Sequence, residues 1–529
     1  SLGLYLSYKI LNLPDLTVDG SFTLGCAVSA VLTLSGHPYL ALCAAFIAGM
    51  LAGLVTGLLT TKLKIASLLA GILTMTGLYS INLKIMNDSP NLSLFGSTTI
   101  FTPLTNFEPY SQFLLIIMFV AVIFGVLYYF LKTQLGLALR ACGDNEDMVK
   151  ASSINADLMK ILGLSLSNGL VALSGAIYAQ HQSFADSQSG TGMMVIGLAS
   201  IIIGMAFIKK RSDSLSIISS YDRCIYLSWN SHFSFTNGDS INRFKTVVCF
   251  ISCIGFDFDK IKNKEEKSML ELQDISVVFH PDTIHEKKAL SHVNLQIQQG
   301  DFVTIIGSNG AGKSTLFQTI SGAILPAQGH IYLNHQDITN LKEYKRSRFI
   351  GRLFQNPLKG TAPTMTIEEN LALAGCQGHY FKLKPVSHLQ RQQMKEALKE
   401  LGLGLEKRMD TKVGVLSGGQ RQALSLLMAT YAKPQLLLLD EHTAALDPQT
   451  AKTVLDLTAN IVRKNQMTTL MITHNMEDAI QYGQKIIIMS EGRILDFIDE
   501  KRKQNLTVED LIHLYTQHTH DYHDHILLQ

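Results

Sequence analysis

Residues 300–322 read "GDFVTIIGSNGAGKSTLFQTISG". A short apolar run, a glycine-rich loop and a helix-forming run follow one another, and the loop fits G-x4-G-K-S from Gly307 to Ser314. Strand, loop and helix in that order are the context a phosphate-gripping loop needs. Glycines allow successive backbone N–H groups to turn inward at the positive end of the helix. The stretch Gly307, Ser308, Asn309, Gly310, Gly312, Lys313, Ser314 and Thr315 is therefore the expected ATP site. In it Lys313 serves as a point charge for the outer phosphates, and the Ser314 hydroxyl ligates Mg²⁺.

The pattern around this loop extends the reading. "PQLLLLDE" (434–441) is a buried parallel strand by its four consecutive leucines, and it delivers Asp440 toward a metal and Glu441 toward an attacking water. "LMITHNMEDA" (470–479) ends a second buried strand at His474, placed to sense the γ-phosphate. "RLFQNP" (352–357) sets Gln355 after a third, where its amide reaches metal or water and reports to the segment that follows. Glu441, His474 and Gln355 are the expected catalytic group; Ser314, Gln355 and Asp440 are the expected metal ligands. "LSGGQ" (416–420) places Ser417, Gly418, Gly419 and Gln420 at a helix start, a second phosphate-gripping surface. One nucleotide on one domain has no use for two such surfaces, whereas a head-to-tail pair of domains does.

Residues 270–500 resemble the ABC ATPases, through the P-loop at 307–315, Gln355, the signature at 416–420, "LLLLDE" at 436–441, "ALD" at 445–447 and His474, in family order. The resemblance implies that ATP is sandwiched between two copies and that Glu441 acts as general base. It also sets Phe279 where the family stacks an aromatic ring on adenine, the usual residue being Tyr. His442 stands where Pro is commoner, and is expected to be tolerated because the turn needs no fixed φ.

The other part of the chain has a different composition. Only 19 of the first 210 residues are charged, against 69 of the remaining 319. Apolar runs at 22–35, 39–61, 65–81, 113–131, 161–179 and 193–208 approach or reach the length of a bilayer crossing and are rich in small residues. Basic loops (61–64, 132–160, 209–211) alternate with loops free of Lys and Arg (87–112, 181–192), so the basic ones are expected in the cytoplasm. The fold class expected is an α-helical polytopic membrane domain followed by an α/β P-loop NTPase domain. Seven cysteines without a CxxC pair fit reduced thiols, and a net charge of +2 gives no reason to expect a nucleic-acid partner.

Two polar stretches interrupt the membrane part. "LNLPDLTVDGSF" (11–22) puts Asp15 and Asp19 beside the first span, with Pro14 and Gly20 as helix breakers. It reads either as a re-entrant element lining a pathway or as an interfacial loop. "RACGDNEDMVKASSINADLMK" (140–160) suits a short helix presented to a partner, or a solvated loop. With "GDNEDMVKASSINADLMKILGLSLSNGLVALSGA" and "PDLTVDGSF", residues 1–208 resemble permeases of bacterial branched-chain-amino-acid-type importers, and more closely their tryptophan/tyrosine-type subgroup. That resemblance implies that residues 143–155 dock on the ATPase and that an external solute-binding protein delivers an amino-acid-type ligand. It also implies a second permease copy and a second ATPase copy. The function expected is an ATP-driven importer in the bacterial plasma membrane, multi-pass, with its ATPase cytoplasmic. The alternative is a soluble-type ABC ATPase fused to a non-functional permease fragment.

The expected domains are 1–210 (permease, truncated at both ends), 211–268 (join), 269–500 (ATPase) and 501–529 (tail). The join has no Ala, two Leu and eleven Ser, unlike either neighbour, and Met269 looks like a natural chain start. It reads as an out-of-frame translation of the permease's end or as a divergent linker. In the tail, His513, His518, His520, His523 and His525 offer a metal site or a frayed terminus.

Overall fold

The computed structural model describes residues 1–102, 110–208, 268–281, 283–444, 446–504 and 506–519. The join at 211–268 thus lies, apart from Ser268, outside the described residues, as do His520, His523 and His525. The chain divides into two compact units. One takes Ser1–Asp144 and continues from Ala156; the other takes Asn145–Asn155 together with the described residues from Ser268 on. The short segment 145–155, expected as part of the permease by its place in the chain, clusters with the ATPase.

In the first unit each apolar run becomes a helix: α1 (Thr17–Leu34), α2 (Pro38–Thr61), α3 (Ser67–Ile85) and α4 (Tyr110–Lys132), the last followed by α5 (Gln134–Asp144). After α6 (Glu146–Ala151), which belongs to the second unit, come α7 (Ala156–Gln182) and α8 (Met193–Ile208). Two short strands, β1 (Asn91–Ser93) and β2 (Phe184–Asp186), pair antiparallel. Among the described residues α1, α2, α3 and α7 are each long and apolar enough to cross a bilayer; α4 and α5 form a fifth candidate bent by 78°. Small residues set the packing of α7 against α1 and α2. A Cβ on Gly25 would collide with the Ala172 carbonyl, and one on Gly53 with that of Leu164. Such contact replaces the hydrophobic drive that lipid cannot supply.

The helix break lies between Ile10 and Thr17, around Pro14. Gly20 does not break the helix, contrary to the sequence reading. It sits inside α1, where the missing side chain lets Met75 and Leu78 of α3 approach.

In the second unit a six-stranded sheet has the order β12-β11-β5-β10-β9-β8. Its strands are β5 (Phe302–Ile306), β8 (Ile350–Leu353), β9 (Leu436–Asp440), β10 (Thr468–Ile472), β11 (Lys485–Ser490) and β12 (Arg493–Ile498), all parallel except the β11–β12 pair. The residues of β5, β9 and β10 are all buried, which is why they read as unbroken apolar runs. An antiparallel sheet of β3 (Ser268–Phe279), β4 (Lys287–Gln298), β6 (Gln328–Leu333) and β7 (Gln336–Asp337) shares a core with it. The helices used below are α9 (Lys313–Ser321), α10 (Glu343–Arg346), α11 (Ile367–Ala374), α12 (His388–Glu400), α13 (Gly418–Tyr431) and α14 (Pro448–Asn465).

Candidate functional site

Parallel strands in register end at one edge, and that edge collects the predicted residues. Asp440 pairs with Ile472, Ile472 with Ile305, and Leu439 with Leu353. The residues just beyond these strand ends, in the loop 307–312, at 441, at 474 and at 355, therefore leave the sheet together, as ligand-binding loops do in open α/β sheets.

The loop after β5 turns through positive φ at Gly310 (88°) and Gly312 (94°), angles that side chains disfavour. Gly312 is the residue before α9, so Lys313 opens the helix. Lys313 is only 5% exposed. Its Nζ donates to the carbonyls of Gly307 (2.5 Å) and Ser308 (3.0 Å), folded back across the loop. Asn309 and Gly310 at the loop's tip are exposed, as is Ser314.

At the end of β9 the Asp440 carboxylate stands near the Ser314 hydroxyl. Burial raises the Asp440 pKa, partly offset by nearby Arg352 and by that hydroxyl, which helps to hold it down. Next to it Glu441 adopts a φ of 42°, a left-handed conformation uncommon for a non-glycine residue. That turn aims the carboxylate between two donors: Gln355 Nε2 at 2.8 Å from Oε2, and His474 Nε2 at 2.6 Å from Oε1. The hydrogen bond from His474 is the main cause holding Glu441 below the usual carboxylate range, against an upward push from burial. Gln355, Glu441 and His474 are thus brought together. Ser314, Gln355 and Asp440 offer hydroxyl, amide and carboxylate oxygens, the hard donors that suit Mg²⁺. Among the described residues no three His, Cys, Asp or Glu side chains cluster as metal ligands.

Other predicted residues lie apart from this group. Ser417 is the N-cap of α13, in a capping box with Gln420: Ser417 Oγ accepts the Gln420 N–H, and Gln420 Oε1 accepts the Ser417 N–H. Ser417 and Gly418 are exposed, while Gly419 is buried against Thr450. Phe279 ends β3, half-buried against the core. His442 is 3% exposed, its Nε2 3.3 Å from Thr458 Oγ1 on α14, and burial pushes its pKa down to about 4. It is a neutral packing residue.

Several functional candidates carry no motif. Arg421 holds the strand of chain entering the signature, donating to the carbonyls of Val413, Gly414 and Leu416 at 3.4, 3.1 and 3.0 Å. Asn145 caps α6 through Oδ1, while its Nδ2 donates to the carbonyls of Leu358 (2.6 Å), Lys359 (3.1 Å) and Thr361 (2.6 Å), in the loop that follows Gln355. Tyr380 accepts the Asn155 N–H at 3.3 Å. Met148, Val149 and Ile154 are fully buried, so the segment is seated and not solvated.

In the first unit, Asp15 is 2% exposed. Its oxygens accept the Thr17 N–H (2.9 Å) and the Asn168 amide (2.6 Å), and Asn168 in turn accepts the Ser21 hydroxyl (2.7 Å). Asp19 accepts the N–H groups of Gly192 (3.0 Å) and Met194 (2.7 Å) at the start of α8. Asp15 thus ties the broken backbone ahead of α1 to α7, and Asp19 ties α1 to the start of α8.

Comparison with known proteins covers both units. Residues 1–222 match the family described as branched-chain amino acid transport system / permease component, and residues 290–444 match the ABC transporter family. A tyrosine transport ATP-binding protein of Clostridioides difficile is 46% identical over 249 residues, 46% of this chain and 97% of that one. A tyrosine transport system permease protein of the same organism is 47% identical over 211 residues, 40% of this chain and 70% of that one. An energy-coupling factor transporter ATP-binding protein of Acetivibrio thermocellus is 32% identical over 225 residues, 42% of this chain and 78% of that one. With a permease-like membrane unit and an ATP-hydrolysing unit each matched by relatives of the same kind of system, the chain belongs to the ABC transporter family, its permease part and its ATPase part joined in one polypeptide.

Proposed function

We propose that this chain imports a small amino-acid-type solute across the bacterial plasma membrane at the expense of ATP. The observation that carries the reading is the Glu441 carboxylate held between Gln355 and His474, beside the P-loop, in a chain that also carries permease helices. The amino-acid class is supported by the two relatives named for tyrosine transport.

In this reading ATP lies on 307–315 with adenine against Phe279, and Lys313 exchanges its two carbonyl partners for phosphate oxygens. Ser314, Gln355 and Asp440 hold Mg²⁺, which when bound neutralises charge on the phosphates. Glu441 is ionised and takes the proton of the attacking water, while His474 and Gln355 orient its carboxylate. The exposed Ser417–Gly418 edge closes over the nucleotide of a second copy, so that each ATP is gripped from two sides. Two permease parts then serve two ATPase parts, with an external solute-binding protein supplying ligand. The segment 145–155 relays nucleotide occupancy to α7, which follows it directly in the chain. The ATPase faces the cytoplasm, the side on which the basic loops of the permease fall.

The test is uptake of labelled tyrosine by ATP-loaded membrane vesicles containing the full chain. Uptake is expected to require ATP and to vanish in Glu441→Gln, and uptake that survives that change refutes the mechanism. Uptake of another amino acid in place of tyrosine would correct only the solute.

A further inference from the structure

The end of the P-loop helix faces an unusual side chain. Arg346 is fully buried, and among the described residues no carboxylate forms an ion pair with it. It makes four hydrogen bonds instead to main-chain oxygens. Nη1 donates to the carbonyls of Thr319 (2.8 Å) and Ile320 (2.9 Å), Nη2 to Thr339 (2.7 Å) and Nε to Leu341 (2.9 Å). Thr319 and Ile320 are in the last turn of α9, where carbonyls lack partners within the helix and where a cation meets the negative end of its dipole. Gly322, at φ 83°, lets the chain pass the guanidinium: a Cβ there would lie 2.8 Å from Arg346 Nε. The helix that opens with Lys313 and Ser314 is therefore gripped at its far end by one residue of α10.

The next residue faces the other way. Ser347 Oγ bonds the Lys150 carbonyl at 2.7 Å, in the last turn of α6, while also reaching the Glu343 carbonyl at 2.7 Å. Glu343, in the first turn of α10, stands 3.6 Å from Arg352, and the same Arg352 Nη1 donates to Ser321 Oγ at 3.2 Å at the end of α9. Burial raises the Glu343 pKa against the opposing charges of Arg352 and Lys150. One short helix thus bonds α9 through Arg346 and α6 through Ser347.

We propose that Arg346 and Ser347 are positioning residues that transmit the placement of the P-loop helix to the segment 145–155, by a route separate from Gln355. Nucleotide draws on the N-terminal end of α9, and the Arg346 clamp makes α10 follow the opposite end of the same rigid rod. Ser347 carries that displacement to the Lys150 carbonyl. The Gln355 route arrives elsewhere on the segment, at Asn145 through the carbonyls of residues 358–361. The two routes thus hold the two ends of α6. This inference rests on the reading of 145–155 as the relay to the permease.

The experiment is hydrogen–deuterium exchange on the full chain in nanodiscs, in a Glu441→Gln background, with and without Mg·ATP. Peptides covering 145–155 and 307–316 are followed. In the parent, ATP is expected to slow exchange in both. Ser347→Ala, which removes one hydroxyl, is expected to cut the ATP-dependent slowing at 145–155 at least about three-fold while that at 307–316 stays within about two-fold. Arg346→Lys keeps the charge but loses the planar fork, and is expected to do the same. A merely structural role would lower both signals together. Slowing at 145–155 equal to the parent in Ser347→Ala overturns the proposal even where Arg346→Lys fails to fold. If the parent itself shows no response at 145–155, the relay reading falls and takes this inference with it.

Discussion

The imidazole of His442 makes a quantitative prediction. It is fully enclosed, with one long contact to Thr458, and burial takes its pKa from the ordinary 6.5 to about 4. Between those values the unfolded chain binds a proton that the folded one refuses, so stability rises with pH there and falls on acidification. The full difference of about 2.5 units corresponds to roughly 3.4 kcal/mol at 1.36 kcal/mol per unit. Little of it is lost at pH 7, and about 2 kcal/mol is lost by pH 5. His442→Gln keeps a polar side chain of similar reach without titrating. The measurement is amide exchange in β9 and β10, which flank the site, at pH 7 and pH 5 after correction for intrinsic rates. The opening free energy of the parent is expected to drop by about 2 kcal/mol more than that of His442→Gln. Other titrating groups contribute equally to both chains and cancel. Equal drops would show that the imidazole is not held neutral by burial, and the reasoning would fail.

Removing either donor from Glu441 tests the catalytic group: His474→Ala and Gln355→Ala are each expected to slow hydrolysis by about 10²-fold or more while ATP still binds. In His474→Ala the acid limb of kcat/KM also moves to higher pH, because the bond that most depresses the Glu441 carboxyl is gone; an unmoved limb counts against Glu441 as the titrating base. Arg421→Ala releases three carbonyls ahead of Ser417 and should weaken ATP-driven pairing of Glu441→Gln chains about ten-fold in light scattering, equal to about 1.4 kcal/mol. Asn168→Leu leaves the buried Asp15 carboxylate without its side-chain donor, at a cost of about 3 kcal/mol in thermal unfolding in detergent. Asp15→Leu in the same chain should recover most of that loss, and failure to recover it would remove the pair from the account.

The motif residues were legible because their spacing is fixed by chemistry. A loop that turns on glycines, a carboxylate at a buried strand end and an amide after a neighbouring strand meet because their strands run parallel in one sheet. The apolar runs were legible because lipid demands them, and all six became helices. The seat of 145–155 was half legible. "GDNEDMVKA" contains a cap and a short helix, but the partners of Asn145 are carbonyls of residues 358–361, which belong to any sequence. Gly20 was misread because a glycine that breaks a helix and one that admits a neighbouring helix look the same in one dimension.

The same distinction explains why the partners of Arg346, Arg421 and Asn145 escape the sequence. Each satisfies main-chain oxygens, and a carbonyl leaves no trace in residue identity, so no second letter marks the pair. What does mark Arg346 is cost: a buried guanidinium is stable only if its donors are met, since charge without partners in a protein interior is expensive. An arginine that meets this demand entirely through backbone fixes the relative position of the segments whose carbonyls it gathers. For Arg346 these are the end of the P-loop helix and the turn leading into α10, and for Arg421 the chain entering the signature. The two surfaces proposed to grip nucleotide, the P-loop and the signature, are therefore each held from behind by an arginine. Charge-preserving Lys substitutions should hurt both positions, because the fork and not the charge gathers the carbonyls.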